Sequence, residues 1–253
     1  MLDMNLYKDN SSIFQKYISL TNQKQILIDK VCKKIIDNIN LKKIKLLDIG
    51  CADGAVTLKI IENIRNSYQL EVTVIEASTE LINRFKSKME YDINFINENV
   101  ESIDILPQSD FILMVHIVSY INNLDCFLDK IINSLNENGI ALIVLSNDYS
   151  DDKKVKNYLN NSKDKDSTST IVKSILSKKQ IKYDVEIVES NIDVSGIEEM
   201  NEKGKVIIEF LEHKKIEDIS DNRINDMRNM ILNIAKGNKK IIKREDYIWI
   251  QKI

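Results

Sequence analysis

The chain has 253 residues, of which 43% are hydrophobic and 30% are charged, with a formal net charge of -3. This length can supply one large core with an elaboration, and the balanced charge argues against a strongly basic surface that binds nucleic acid. Three cysteines without a CxxC pair and only two histidines argue against a disulfide framework or a structural zinc site, so we expect no metal. No apolar run approaches the roughly 20 residues that span a bilayer, and "MLDMNLYKDNSS" at the start carries no apolar signal region. We therefore expect a cytoplasmic protein that does not enter a membrane.

Strand and helix patterns alternate along the first part of the chain. Apolar residues at three- and four-residue steps predict helices over 10–40, from Val56, from a Ser78 or Thr79 cap, and from Leu124 to a cap at Gly139. Apolar and β-branched runs predict strands at 45–49, 70–78, 93–99, 110–121 and 140–147. This alternation is typical of an α/β protein with a parallel sheet and right-handed crossovers.

The second part of the chain is more polar. After Ser146 a charged stretch leads to further predicted elements. These are a helix at 170–180, a strand at 182–194, two helices within 197–236 and a last strand at 245–253.

A loop of small residues, Asp48 to Gly54, follows the first predicted strand. The carboxyl ends of parallel strands are where such sheets bind ligands, and glycines allow the backbone to approach a ligand closely. A plain tight turn would also explain the loop. However, Glu76 ends the second predicted strand, where an acid can accept two hydrogen bonds from ribose hydroxyls. The loop and the acid together indicate an adenosine-type cofactor.

Two common nucleotide-binding motifs fit this loop poorly. The frame Gly50, Ala52, Ala55 departs from the dinucleotide pattern G-x-G-x-x-G, and no G-K-[ST] follows Gly54 as a phosphate-binding loop requires. A nicotinamide-binding oxidoreductase would still share the loop and the acid, so it stays an alternative.

The segment "LLDIGCADG" at 46–54 resembles motif I of class I S-adenosylmethionine-dependent methyltransferases, with Ala52 in place of the middle glycine. The segments "VIEAS", "ENVES", "DFILMVHIVSYI" and "SLNENGIALIVLSN" resemble the next four motifs of that family, in order. The resemblance implies a Rossmann-like fold with a seven-stranded mixed sheet, whose last strand (246–252) lies antiparallel beside the fifth. It also implies S-adenosyl-L-methionine as cofactor and S-adenosyl-L-homocysteine as product.

The same resemblance places the cofactor at the ends of the first four strands. In the family, the loop backs the amino-acid end of the cofactor, the second-strand acid holds the ribose, and the segment after the third strand flanks the adenine. The cofactor-binding positions implied here are Asp48, Gly50, Cys51, Ala52, Gly54, Glu76, Ala77, Ser78, Asn99, Val100, His116, Ile117 and Tyr17. Tyr17 would close over the cofactor, or it packs inside a helical core as helix-spaced aromatic residues do.

A finer likeness extends over most of the chain. The segments "IFQKYISLTNQKQILI" and "NIDVSGIEEMNEKGKVIIEFLEH" resemble histamine N-methyltransferase and its bacterial relatives, in which helices cover the amine substrate. That likeness implies lid helices over 1–40, a cofactor-binding core over 41–195, an inserted helical substrate region over 196–237 and a terminal strand over 238–253.

The substrate-binding positions implied by that likeness are Gln23, His116, Tyr120 and Glu245. Gln23 is neutral where the family has a glutamate for the cationic amine, which argues against histamine itself. His116 is also the candidate catalytic base, since an imidazole can accept a proton near neutral pH, although a packing histidine is the alternative. Cys51 lacks an identifiable base, so its small size explains it better than a nucleophilic role.

The sequence thus predicts an S-adenosylmethionine-dependent methyltransferase (EC 2.1.1.-) acting on a small molecule. N-methylation of an amine or imidazole is favoured over O-methylation of a small natural product. An RNA or protein methyltransferase would need an open or basic cleft, which the predicted lid argues against, and a catalytically silent cofactor sensor is a further alternative. We expect a monomer that binds neither nucleic acid nor a membrane.

Overall fold

The computed structural model describes residues 11–160 and 168–252, without the side chains of 11, 12 and 158–160. The strands are β1 Lys43–Ile49, β2 Gln69–Ile75, β3 Ile93–Ile96, β4 Ser109–Val115, β5 Leu135–Ser146, β6 Tyr183–Asp193 and β7 Lys240–Gln251. The α-helices are α1 Ser11–Ser19, α2 Gln23–Asn38, α3 Ala55–Ile64, α4 Thr79–Lys86, α5 Leu124–Ser134, α6 Asp151–Asn160, α7 Thr168–Lys178, α8 Glu202–Glu212 and α9 Asp221–Ala235. Short 3-10 turns occur at Val100–Ser102, Val118–Tyr120 and Ile216–Asp218.

In the described part of the chain, seven strands form one sheet in the order β3-β2-β1-β4-β5-β7-β6. The pairings of β1 with β2 and β4, of β2 with β3, and of β4 with β5 are parallel. The strand order reverses between β1 and β4, so the ligand-binding switch point of the sheet lies at their carboxyl ends.

The last strand, β7, runs antiparallel to β5. The Asn147 N–H donates to the Arg244 carbonyl at 3.0 Å, and the Lys252 N–H donates to the Gly139 carbonyl at 3.0 Å, so one strand ascends in residue number as the other descends. The predicted seven-stranded mixed sheet, with its last strand antiparallel beside the fifth, is confirmed.

The chain divides into two compact units. The sheet unit comprises the described residues of 27–145, 168–186 and 246–252, and the helical unit those of 11–26, 146–160 and 187–245. The core of the sheet unit centres on the strand residues Leu47, Ile112 and Ile143, which are fully buried. The helical unit has its own apolar core, in which Ile207 and Ile231 are buried. No helix in the described ranges is long and apolar enough to cross a membrane.

The predicted helical stretch over 10–40 is interrupted. The chain leaves the helix after Ser19, and Thr21 forms an isolated antiparallel bridge with Ile192 before α2 begins at Gln23. This bridge forms between residues far apart in sequence, so local periodicity could not predict it. Residues 1–10 lie outside the described residues.

Two predicted boundaries near the fourth and fifth strands are wrong. β4 ends at Val115 rather than at 121, because His116 adopts a positive φ of 58° and a 3-10 turn follows. Gly139 does not cap a helix: α5 ends at Ser134 and β5 begins at once, with a register shift in its pairing with β4 between Ser109 and Phe111. This irregular pairing takes the polar "NENG" segment into the sheet.

Candidate active site

The loop after β1 turns through three residues with positive φ. Gly50, Ala52 and Gly54 have φ values of 75°, 51° and 72°. The Gly50 N–H donates to the Ile75 carbonyl of β2 at 2.7 Å, which fixes the start of the loop at the carboxyl edge of the sheet. The loop therefore places the N-terminus of α3 at the switch point of the sheet.

The two outer glycines are required by close neighbours as well as by φ. A Cβ on Gly54 would lie 2.3 Å from the Phe85 ring of α4, and a Cβ on Gly50 would lie 3.0 Å from Ile117. The middle position is less restricted, since Ala52 accommodates a positive φ at a cost of about 1–2 kcal/mol. The pattern of two retained glycines and one alanine thus follows from the local packing.

The Glu76 carboxylate holds the loop and the start of α4 together. Its Oε2 accepts the Ala52 N–H at 3.1 Å and its Oε1 accepts the Ser78 N–H at 2.9 Å. Ser78 in turn caps α4, because its Oγ accepts the Leu81 N–H at 3.3 Å. A carboxylate has about four acceptor positions, so Glu76 retains capacity for two ligand hydroxyls.

Asn97, which follows β3, is a site residue that the sequence reasoning missed. Its Nδ2 donates to the carbonyls of Glu76 and Ala77 at 2.9 and 3.1 Å, and its Oδ1 accepts the Thr79 hydroxyl at 2.7 Å. An asparagine directly after the third strand was the available signal. Asn97 therefore fixes the backbone that carries the Glu76 carboxylate.

The predicted residues Asn99 and Val100 form the turn that follows. Asn99 caps the 3-10 turn Val100–Ser102 by accepting the Glu101 N–H at 3.0 Å, and Val100 is buried. The turn lies at the carboxyl end of β3, beside the end of β2.

His116 follows β4 directly. Its N–H donates to the Val144 carbonyl of β5 at 3.0 Å, which holds the half-buried histidine at the carboxyl edge of the sheet. Ile117 packs against Gly50, and Tyr120 ends the next 3-10 turn. The carboxyl ends of β1 to β4 thus carry the residues that were expected there: the loop, Glu76, the Asn99 turn, His116 and Ile117.

Comparison with known proteins agrees with this geometry. Residues 47–141 match a family of methyltransferase domains. The ubiquinone biosynthesis O-methyltransferase of Rickettsia prowazekii is 21% identical over 123 residues, which are 48% of this chain and 48% of that protein. The chain thus spans about half the length of the curated relatives it matches.

Two solved structures have a similar fold. The YcgJ protein of Bacillus subtilis aligns with a TM-score of 0.56 at 17% identity, covering 89% of this chain and 97% of that one. The plantazolicin methyltransferase BpumL, solved with a monoazolic desmethylPZN analog and SAH, aligns with a TM-score of 0.55 at 14% identity, covering 97% of this chain and 91% of that one. The chain thus has the fold of class I methyltransferases, and its residues 47–141 match the methyltransferase-domain family.

Within this matched region, the acid of motif I is buried beneath the loop. Asp48 is 3% exposed, and the Thr57 hydroxyl of α3 donates a hydrogen bond to its Oδ2. Burial raises the pKa of Asp48 from 3.8 to about 7, although the Thr57 bond opposes the shift. Burial also raises the pKa of the Cys51 thiol well above its ordinary value, with Asp48 and Glu76 adding to the shift. A thiol that stays protonated does not act as a nucleophile.

The titration of Asp48 predicts that stability falls as pH rises. Native Asp48 keeps its proton up to about pH 7, whereas the unfolded state loses it near 3.8. The native state therefore binds more protons in this window, and Asp48 lowers the free energy of unfolding by up to about 1.4 kcal/mol per pH unit. We expect urea unfolding at pH 4.5 to 7.5 to show this slope in the wild type and a shallower slope in Asp48→Asn. Equal slopes would contradict the assignment, and Glu62→Gln, at an exposed carboxylate of α3, is the control.

Three of the predicted residues belong to the helical unit. Gln23 and Glu245 meet, since Gln23 Nε2 donates to Glu245 Oε1 at 2.6 Å and both side chains are buried. The Tyr17 ring is fully buried and stacks on Phe210, with ring centroids 3.6 Å apart. The Tyr17 ring therefore packs inside a helical core, the second of the two roles that the sequence suggested for it.

Proposed function

We propose that this chain is an S-adenosylmethionine-dependent methyltransferase that methylates a small molecule. The main support is the Glu76 carboxylate, which the Ala52 and Ser78 N–H groups fix beside the motif I loop at the switch point of the sheet. The residues fit the cofactor. The loop would contact its amino-acid end, Glu76 would accept hydrogen bonds from its ribose hydroxyls, and the Asn99 turn would lie beside its adenine. Asp48, Ala77, Ser78 and Ile117 would complete its surroundings.

When bound, the cofactor supplies a methyl group activated by a positively charged sulfur. The chain's part is to align the acceptor and exclude water, which suits an in-line displacement. His116, at the carboxyl end of β4, would accept a proton from the acceptor if that group is protonated. Gln23, His116, Tyr120 and Glu245 are the residues we propose for acceptor binding.

We favour N-methylation of an amine or imidazole, in keeping with the likeness to histamine N-methyltransferase. O-methylation of a small natural product is the second candidate, and it is supported by the curated relatives, which are named as ubiquinone biosynthesis O-methyltransferases. The two candidates share the cofactor site and differ in the acceptor.

Calorimetry with S-adenosylhomocysteine and a screen of amine and phenol acceptors, read by homocysteine release, test the proposal. We expect the wild type to bind the product and to methylate at least one acceptor. His116→Ala should retain product binding and lose turnover by roughly 100-fold or more, the usual effect of removing a general base. Ser119→Ala, at an exposed position of the next turn, is the control.

The outcomes separate the two parts of the proposal. Failure of the folded wild type to bind S-adenosylhomocysteine would refute the cofactor assignment. Unchanged turnover in His116→Ala would remove the histidine from proton transfer and leave the cofactor assignment in place.

A further inference from the structure

One buried hydrogen-bond donor in the helical unit makes no hydrogen bond to any described residue. This donor is the Tyr17 hydroxyl, and the Tyr17 side chain is 0% exposed. Beside it, Lys243 of β7 is 6% exposed, and its ammonium pairs with Glu245 Oε1 at the long distance of 4.0 Å. A buried donor is normally satisfied, so the Tyr17 hydroxyl calls for an explanation.

The two donors lie on the same patch of the unit. Lys243 Nζ lies 5.9 Å from the centroid of the Tyr17 ring. It lies 4.0 Å from Oε1 of Glu245, which is the oxygen that already accepts the Gln23 amide. Lys243 and Glu245 are two residues apart on one strand and therefore lie on the same face of it. The distance of 4.0 Å is beyond hydrogen-bond length, so the Lys243 ammonium can still donate a hydrogen bond to a ligand.

We propose that Tyr17 and Lys243 form a recognition subsite in the helical unit for an oxygen acceptor, the carboxylate or carbonyl of a small organic ligand. The subsite rests on these two donors and goes beyond the proposed function. A lysine ammonium only donates hydrogen bonds, and a protonated phenol donates one, so their common partner must accept.

The surrounding charges support the donor role of Tyr17. Burial raises the pKa of the Tyr17 hydroxyl well above its ordinary value, and the Asp152 and Glu245 carboxylates raise it further. The phenol thus stays protonated and can donate. A cationic amine is a poor ligand for these two donors, because an ammonium only donates hydrogen bonds and can accept from neither.

The subsite is close to neutral in charge, which admits both kinds of oxygen group. Lys243 and Lys156 are near enough for their charges to interact, and so are Lys156 and Asp152. The positive charges of Lys243 and Lys156 therefore balance the negative charges of the Asp152 and Glu245 carboxylates. A neutral carbonyl and a carboxylate share the same acceptor chemistry here, and the experiment below separates them.

The test uses three small aromatic probes on the full chain: benzoate, benzamide and benzylamine. Their binding is measured by ligand-detected NMR titration for the wild type, Tyr17→Phe and Lys243→Met. We expect at least one of the two oxygen probes to bind the wild type more tightly than benzylamine, and each substitution to weaken that binding at least about tenfold. If only benzoate binding depends on Lys243, the ligand group is a carboxylate. If benzamide depends on both residues equally, it is a carbonyl.

Two control variants remove the same groups elsewhere in the helical unit. Tyr149→Phe and Lys240→Met act on exposed side chains and should leave probe binding unchanged. Tyr17→Phe should leave the thermal midpoint unchanged or raise it, because the hydroxyl it removes has no partner to lose.

Several results would overturn the subsite. These are tighter binding of benzylamine than of both oxygen probes, unchanged affinities in both variants, no binding of either oxygen probe up to about 10 mM, or a clear fall in the midpoint of Tyr17→Phe. A buried water on the two donors would give unchanged affinities. Calorimetry with S-adenosylhomocysteine on the same samples reports the cofactor site separately, so its failure refutes the proposed function and not the probe result.

Discussion

Replacing Glu76 with glutamine is expected to weaken S-adenosylhomocysteine binding by roughly 100-fold or more. The carboxylate would accept two ribose hydroxyls, and hydrogen bonds to a charged acceptor contribute about 1.5–3 kcal/mol each. Glutamine keeps one acceptor oxygen but loses the charge, so most of the benefit of both bonds is lost. Isothermal calorimetry on the two proteins measures the ratio of dissociation constants directly.

The substitution has a second effect that must be measured apart from binding. Glu76 also accepts the Ala52 and Ser78 N–H groups at 3.1 and 2.9 Å, so its loss loosens the loop and the start of α4. The thermal midpoint of each variant reports that effect. Glu80→Gln, at an exposed residue of α4 that pairs with Arg84, removes the same charge nearby and should leave affinity unchanged. A folded Glu76→Gln protein that binds within about threefold of the wild type would exclude the ribose role.

The sequence predicted the parts of this site that depend on local patterns. Apolar runs located β1 and β2, and the rule that ligands bind at the carboxyl ends of parallel strands connected Glu76 to the loop. The structure adds the physical reason for the two glycines, since a Cβ on Gly54 would clash with Phe85 and a Cβ on Gly50 would press on Ile117. These contacts are made by residues tens of positions away, so they could be explained only after folding.

The parts that the sequence did not predict depend on long-range pairing. The break between α1 and α2 follows from the bridge of Thr21 to Ile192, and the early end of β4 follows from the left-handed φ of His116. Asn97 looked like one asparagine among many until its bonds to the Glu76 and Ala77 carbonyls gave it a role. The donors of Tyr17 and Lys243 likewise become a pair only through tertiary packing.

Gly54→Ala is expected to lower the free energy of unfolding by about 2–5 kcal/mol. An alanine at φ 72° is in the left-handed region, which costs about 1–2 kcal/mol. Its Cβ would also lie 2.3 Å from the Phe85 ring, and relieving such overpacking costs about 1–3 kcal/mol. Urea denaturation of the wild type and the variant measures the difference.

Gly237→Ala separates the two costs. Gly237 has a similar φ of 80°, but nothing lies within 4 Å of a Cβ placed on it, so only the backbone strain applies. We expect this control to lose about 1–2 kcal/mol. We expect Phe85→Leu to recover part of the loss in the Gly54→Ala background through a coupling of about 1 kcal/mol. If the two alanine variants lost the same stability and Phe85→Leu gave no coupling, the contact with Phe85 would not be what requires glycine at position 54. In that case the requirement would come from φ alone.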